Sequence, residues 1–124
     1  MTELLLVALL GGVGAATRFV VDGAIRARRA SALPLATLLI NVSGSAVIGA
    51  LTGAHLFHGL HDGVFTAAAV GFCGGYTTFS TAMVETVRLV QGEEYRRAAV
   101  YVLGSLALSL AAAALGVLAL WLTR

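Results

Sequence analysis

The segment Gly71-Phe72-Cys73-Gly74-Gly75-Tyr76-Thr77-Thr78-Phe79-Ser80-Thr81 places two adjacent glycines and four aliphatic hydroxyls inside an otherwise apolar stretch. Such a run interrupts a helix. Lipid cannot satisfy backbone groups freed by a break, so a break in a spanning helix persists only where it is buried in protein or lines an ion path. Its first half ends in carbonyls that favour a cation, and its second half begins with N–H groups that favour an anion. The ring of Phe79 adds a positive edge that can face an anion without a formal charge. Asn41 offers two donors and one acceptor in the middle of a second apolar segment, with Thr37 one turn earlier on the same face. Tyr101, Ser105 and Ser109 recur at intervals of four, which aligns three hydroxyls along one face of a helix. Two readings of that stripe stand side by side, a hydroxyl-lined path and interhelical packing. No Ser-His-Asp set, carboxylate metal cluster or phosphate loop occurs, so the chemistry points to anion passage rather than bond making.

The remaining polar residues read in two ways each. Arg18 and Asp22 are spaced for an i, i+4 ion pair, and Arg18 alone would draw anions toward a vestibule. Glu85 and Arg88 are spaced to pair at i, i+3 or to sit near water. Ser43 and Ser45 are expected to bond back to their own helix. His55, His58 and His61 recur every third residue but fall beside Gly59 and Gly63, a poor setting for a metal. The single cysteine, Cys73, allows no internal disulfide.

The elements that must position these groups follow from composition. The chain has 124 residues, 59% hydrophobic and 11% charged, with mean hydropathy +0.94. Soluble domains carry about 25% charged residues, so this is an integral membrane protein. All eight basic residues are arginine, and none is arranged as a basic stripe with interleaved aromatics, which argues against nucleic acid. The N-terminus holds Glu3 and no early basic residue, so a cleaved signal peptide is not expected. A spanning helix needs about 20 apolar residues. Four segments meet this, roughly Thr2 to Ile25, Pro34 to His55, Val64 to Val90 with the break inside it, and Tyr95 to Leu122. The expected fold is therefore all-α, a single four-helix transmembrane domain over residues 1–124. Gly11, Gly12 and Gly14, with Gly44 and the Gly49-x-x-x-Gly53 pair, sit at spacings that allow close helix packing.

Three blocks carry a family resemblance: Gly11-Gly12-Val13-Gly14-Ala15-Ala16-Thr17-Arg18-Phe19, Ala36-Thr37-Leu38-Leu39-Ile40-Asn41-Val42-Ser43-Gly44, and the Gly71–Thr81 segment. Together they resemble the signature blocks of the Fluc (CrcB) fluoride channels, and the Tyr101, Ser105, Ser109 stripe is similar to the fourth. The resemblance covers the whole chain in order. It implies an antiparallel dimer with two pores, each built by both subunits. It also implies a structural sodium ion at the dimer interface, held by main-chain carbonyls at positions matching Gly74 and Thr77. Asn41, Phe79, Tyr101, Ser105 and Ser109 match pore-lining positions, Thr37 a polar position at the pore, and Arg18 the vestibule arginine. One departure stands out: the third block of the family ends Phe-Ser-Thr-Phe, whereas this chain reads Phe79-Ser80-Thr81-Ala82, which removes one pore ring.

The topology is legible separately. Arg26, Arg28, Arg29, Arg96 and Arg97 fall in the first and third loops with Arg88 nearby, against Arg124 alone on the other side. The positive-inside rule puts those loops in the cytoplasm and both termini outside, in a multi-pass protein of the cell inner membrane. So strong a bias suits a chain that inserts one way and dimerises with an oppositely oriented paralogous subunit; the alternative is a homodimer. The function implied is passive fluoride export. Two alternatives are a non-conducting assembly subunit and a small multidrug exporter, which requires a membrane-centred carboxylate.

Overall fold

The computed structural model describes all 124 residues and is wholly helical. Helix α1 spans Thr2–Arg28, α2 Leu35–His58 and α6 Tyr95–Leu122, and these three are long and apolar enough to cross a bilayer. Between α2 and α6 the chain is built in pieces. A short α3, Asp62–Thr66, runs into a π-helical turn at Ala67–Cys73 and then α4, Gly74–Tyr76. After a break at Thr77 and Thr78 the chain resumes as α5, Phe79–Gln91.

The expected boundaries hold at Tyr95 and Leu122, and α1 and α2 each run about a turn further than composition suggested. Arg26 and Arg28 thus belong to the last turn of α1, where cations oppose the helix dipole. Pro34 caps α2 from outside, one residue before its expected place. Gly59 ends α2 in the left-handed conformation (φ 68°), and the Leu60 N–H turns back to the Ala54 carbonyl at 3.2 Å, the usual helix stop.

Two tight helix pairs make the bundle, and small residues make both. A Cβ built on Gly75 would fall 2.0 Å from the Gly11 carbonyl oxygen, and one on Gly14 2.1 Å from the Phe72 carbonyl oxygen, so α1 lies backbone to backbone on the first half of the third segment. Helix α2 meets α6 in the same way, Gly49 on Ala113 and Gly116 on Ala46. This is the close approach that the small-residue spacings anticipate. Large apolar side chains such as Leu9, Phe19, Leu103 and Leu115 point outward, as expected of a surface that faces lipid or another subunit.

Candidate functional site

The break is held open by one side chain. In an unbroken helix the Thr78 N–H would bond to the Gly74 carbonyl. It bonds instead to Asn41 Oδ1 at 2.8 Å, while Asn41 Nδ2 donates to the Thr78 carbonyl, also at 2.8 Å. The Asn41 amide therefore replaces both halves of a backbone pairing. One N–H of its amide is left unused. The Thr78 hydroxyl caps α5 by accepting from the Thr81 N–H at 3.2 Å. Thr77, whose own hydroxyl bonds back to the Cys73 carbonyl at 2.9 Å, presents its carbonyl to Arg18 Nη1 at 3.1 Å. Arg18 is thus tied to the break. Asp22 pairs not with Arg18 but with Arg26, at 2.8 Å, because Arg26 lies one turn further toward the polar end.

Beside the break lies a groove of about 440 Å³. Asn41, Thr77, Thr78, Phe79, Ala82, Tyr101, Ser105 and Ser109 all contribute to its wall. Residues from three separate blocks of the sequence converge there, with the hydroxyl stripe of α6 facing the break. The Ser105 Oγ is fully enclosed and has no hydrogen-bond partner in the chain. Phe79 is 78% exposed, with its ring at the outer edge of the groove. Ala82 is buried in the wall, at the place where the family pattern carries a second ring.

Thr37 does not line the groove. It is fully buried, and its hydroxyl donates to Glu85 Oε1 at 3.0 Å. The same carboxylate accepts from Arg26 Nη2 at 2.8 Å and from the Tyr101 hydroxyl at 2.9 Å. The i, i+3 pairing of Glu85 with Arg88 is not formed: α5 turns Glu85 inward, to a site where three donors from three helices meet it. Sequence reasoning undervalued Glu85 because the residues that hold it are up to 59 positions away. Its place in an apolar segment was the available signal.

The carbonyls at Gly74 and Thr77 are the cation ligands that the family resemblance implies. Both have lost their helical donors, since the Thr78 N–H goes to Asn41 and the Thr81 N–H to a hydroxyl. Gly74 is exposed, and a Cβ placed on it meets nothing within 4 Å. Carbonyls freed of helical donors suit a hard monovalent cation; at Thr77 it would use the lone pair that Arg18 leaves, against the repulsion of that guanidinium. The histidines cap local structure: His55 Nδ1 lies 2.8 Å from the Leu60 carbonyl and its ring stacks on Phe65, while His58 Nε2 lies 2.9 Å from the Leu120 carbonyl. Ser43 bonds back to Ile40 as expected and also meets the Tyr76 hydroxyl at 3.0 Å.

Residues 5–117 match the family described as "CrcB-like protein, Camphor Resistance (CrcB)". The chain belongs to the CrcB family. Curated relatives agree with the assignment. The chain is 48% identical over 118 residues to "Fluoride-specific ion channel FluC 1" of Leifsonia xyli subsp. xyli, covering 95% of this chain and 84% of the relative. It is 44% identical over 114 residues to "Fluoride-specific ion channel FluC 2" of Cutibacterium acnes, covering 91% of this chain and 93% of the relative. A third relative, "Fluoride-specific ion channel FluC 1" of Nocardia farcinica, is 48% identical over 105 residues, 84% of this chain and 68% of its own length. Three helices of this CrcB chain are long and apolar enough to cross a bilayer, which suits a multi-pass membrane protein, as do relatives named as ion channels.

Proposed function

We propose that the chain is a subunit of a fluoride-selective channel that lets fluoride leave the cytoplasm passively. The observation that carries this reading is the enclosed, unpartnered Ser105 hydroxyl in a groove shared with the free N–H of Asn41 and the Phe79 ring. Burying a hydroxyl without a partner costs about 1–3 kcal/mol, so the site is suited to a transient acceptor. Fluoride is small and tightly hydrated, and a narrow wall of donors replaces its water where larger halides do not fit. The relatives' names point to the same ion.

The functional unit on this reading is an antiparallel dimer in the cell inner membrane, with two pores and a sodium ion at its interface on the Gly74 and Thr77 carbonyls. The ion's chemistry there is to hold two chains together by charge; the chain's part is to keep those carbonyls free of helical donors. The exposed, uncrowded Gly74 supports a second subunit at this face, and the numbers 1 and 2 in the relatives' names support a paralogous partner of opposite orientation.

The exporter alternative asks for a buried carboxylate that exchanges protons, and Glu85 is buried. Its carboxylate is engaged by Arg26 and two hydroxyls, an arrangement that suits structure or electrostatics rather than proton exchange. Efflux of fluoride and chloride from liposomes, with this chain alone and with a candidate paralogue, tests the proposal. The expected result is fluoride efflux with no chloride efflux. Equal efflux of both ions overturns it. Fluoride efflux that does not depend on this chain, when the partner is present, selects the non-conducting assembly role.

A further inference from the structure

A second cavity, of about 280 Å³, opens at the arginine-rich end of the bundle. Arg26, Arg29 and Arg88 line it, and Glu85 stands in its wall. Tyr101 stands in the wall of the hydroxyl groove and bonds to that same Glu85 carboxylate. The Glu85–Tyr101 contact is therefore the partition between an arginine-lined mouth and the groove. An anion moving from one to the other must pass a buried negative charge.

The geometry points to Arg26 as the residue that makes this passage possible, by neutralising Glu85 at the partition between mouth and groove. The inference rests on the fluoride-channel reading above. Arg26 bridges two carboxylates, Asp22 through Nε and Glu85 through Nη2, each at 2.8 Å. The bridge holds the guanidinium against the partition, although half of the Arg26 side chain remains exposed. Arg29 and Arg88 make no hydrogen bond to the partition and supply the surplus positive charge that concentrates anions in the mouth. Thr37 and Tyr101 complete the hold on Glu85 from α2 and α6. An unpaired Glu85 would repel an incoming anion at short range in a poorly solvated site, where charge interactions are strong.

The test is fluoride efflux from liposomes, with assembly checked by size-exclusion chromatography. Arg26→Ala is expected to lower the efflux rate about tenfold or more, within the range of field-focusing effects on ion encounter. The double variant Arg26→Ala/Glu85→Gln is expected to recover most of that loss, because it removes the uncompensated charge. A merely structural role for Arg26 predicts that the double variant is at least as impaired as the single one. Should Arg26→Ala fail to assemble, the longer Arg26→Gln, alone and combined with Glu85→Gln, carries the test with the same expected pattern of loss and recovery. Wild-type efflux with variants indistinguishable from it, or a double variant as slow as Arg26→Ala, overturns this inference alone. A wild-type chain that passes no fluoride under any pairing overturns both this inference and the channel reading.

Discussion

At the scale of single residues, Asn41 and Ser105 divide the work of the groove. Asn41 spends one donor and its acceptor on the backbone of Thr78. Asn41→Ala leaves two backbone groups unpaired and is expected to destabilise the protein by about 2–5 kcal/mol, read as a lowered thermal midpoint in detergent. Asn41→Asp keeps the acceptor for the Thr78 N–H but sets a carboxylate against the Thr78 carbonyl and into the anion path. Loss of fluoride efflux in an assembled Asn41→Asp protein is the expected outcome; unchanged efflux would make Asn41 a purely structural clamp. Ser105 behaves oppositely. Its hydroxyl has no partner, so Ser105→Ala is expected to hold or raise the thermal midpoint while slowing fluoride efflux. A Ser105→Ala protein that is less stable and equally conductive would show the hydroxyl to be a packing group. That Asn41, Phe79, Tyr101, Ser105 and Ser109 share one groove was implied by the family resemblance; composition alone marked the polar ones as asking for a reason and left packing open. The bonds of Thr37, Arg18 and Arg26 were not legible, because each depends on a partner in another helix.

Among the elements, the broken third segment sets the tolerances. A break was expected within Gly71–Thr81, since adjacent glycines and a run of hydroxyls weaken an apolar helix. The sequence did not show which glycine bears the crowding. The doublet invites the view that Gly74 sits where backbones meet, yet it is Gly75 that faces the Gly11 carbonyl, while Gly74 looks outward. Gly75→Ala is therefore expected to cost several kcal/mol, as overpacking between backbones does, and to reduce recovery of folded protein. Gly74→Ala is expected to leave the fold of the single chain intact and to act only on pairing between subunits. Comparing thermal midpoints and oligomeric state for the two variants checks this. Equal damage to the fold from both would mean that the outward face of Gly74 is closed. Thr77→Val removes only the bond to the Cys73 carbonyl, worth about 1 kcal/mol, and is expected to be milder than Gly75→Ala.

For the molecule as a whole, charge is sorted to one end. Arg29 and Arg88 share one cavity with Leu33, and Arg96 and Arg97 flank Leu33 on its other side, so the first and third loops meet at the same end. His58 and the last turn of α6 meet at the other. A cysteine introduced at Ser31 is expected to react with a membrane-impermeant label from the cytoplasmic side only; Cys73 is fully buried and does not compete. Comparable labelling from both sides would indicate dual insertion, and the homodimer would then replace the paralogous pair. The three long spans were legible from hydropathy, since about 20 apolar residues have few other uses, whereas the third segment proved to be built from short pieces. The antiparallel pairing proposed above is a property of two chains, which the hydropathy of one chain does not carry.

The π-helical turn at Ala67–Cys73 has a consequence for phase. Each residue of an α-helix advances the azimuth by about 100°, from 3.6 residues per turn, and a π-turn absorbs an additional residue without completing the matching rotation. Everything N-terminal to it is thereby offset in azimuth from everything that follows. Gly71 and Gly75 lie on the α1 seam, and the extended backbone at Thr77 and Thr78 then carries Thr78 round to Asn41. A single codon lost from this turn would leave composition and hydropathy nearly unchanged. It would also put α3 out of step with the break by about 100° of azimuth.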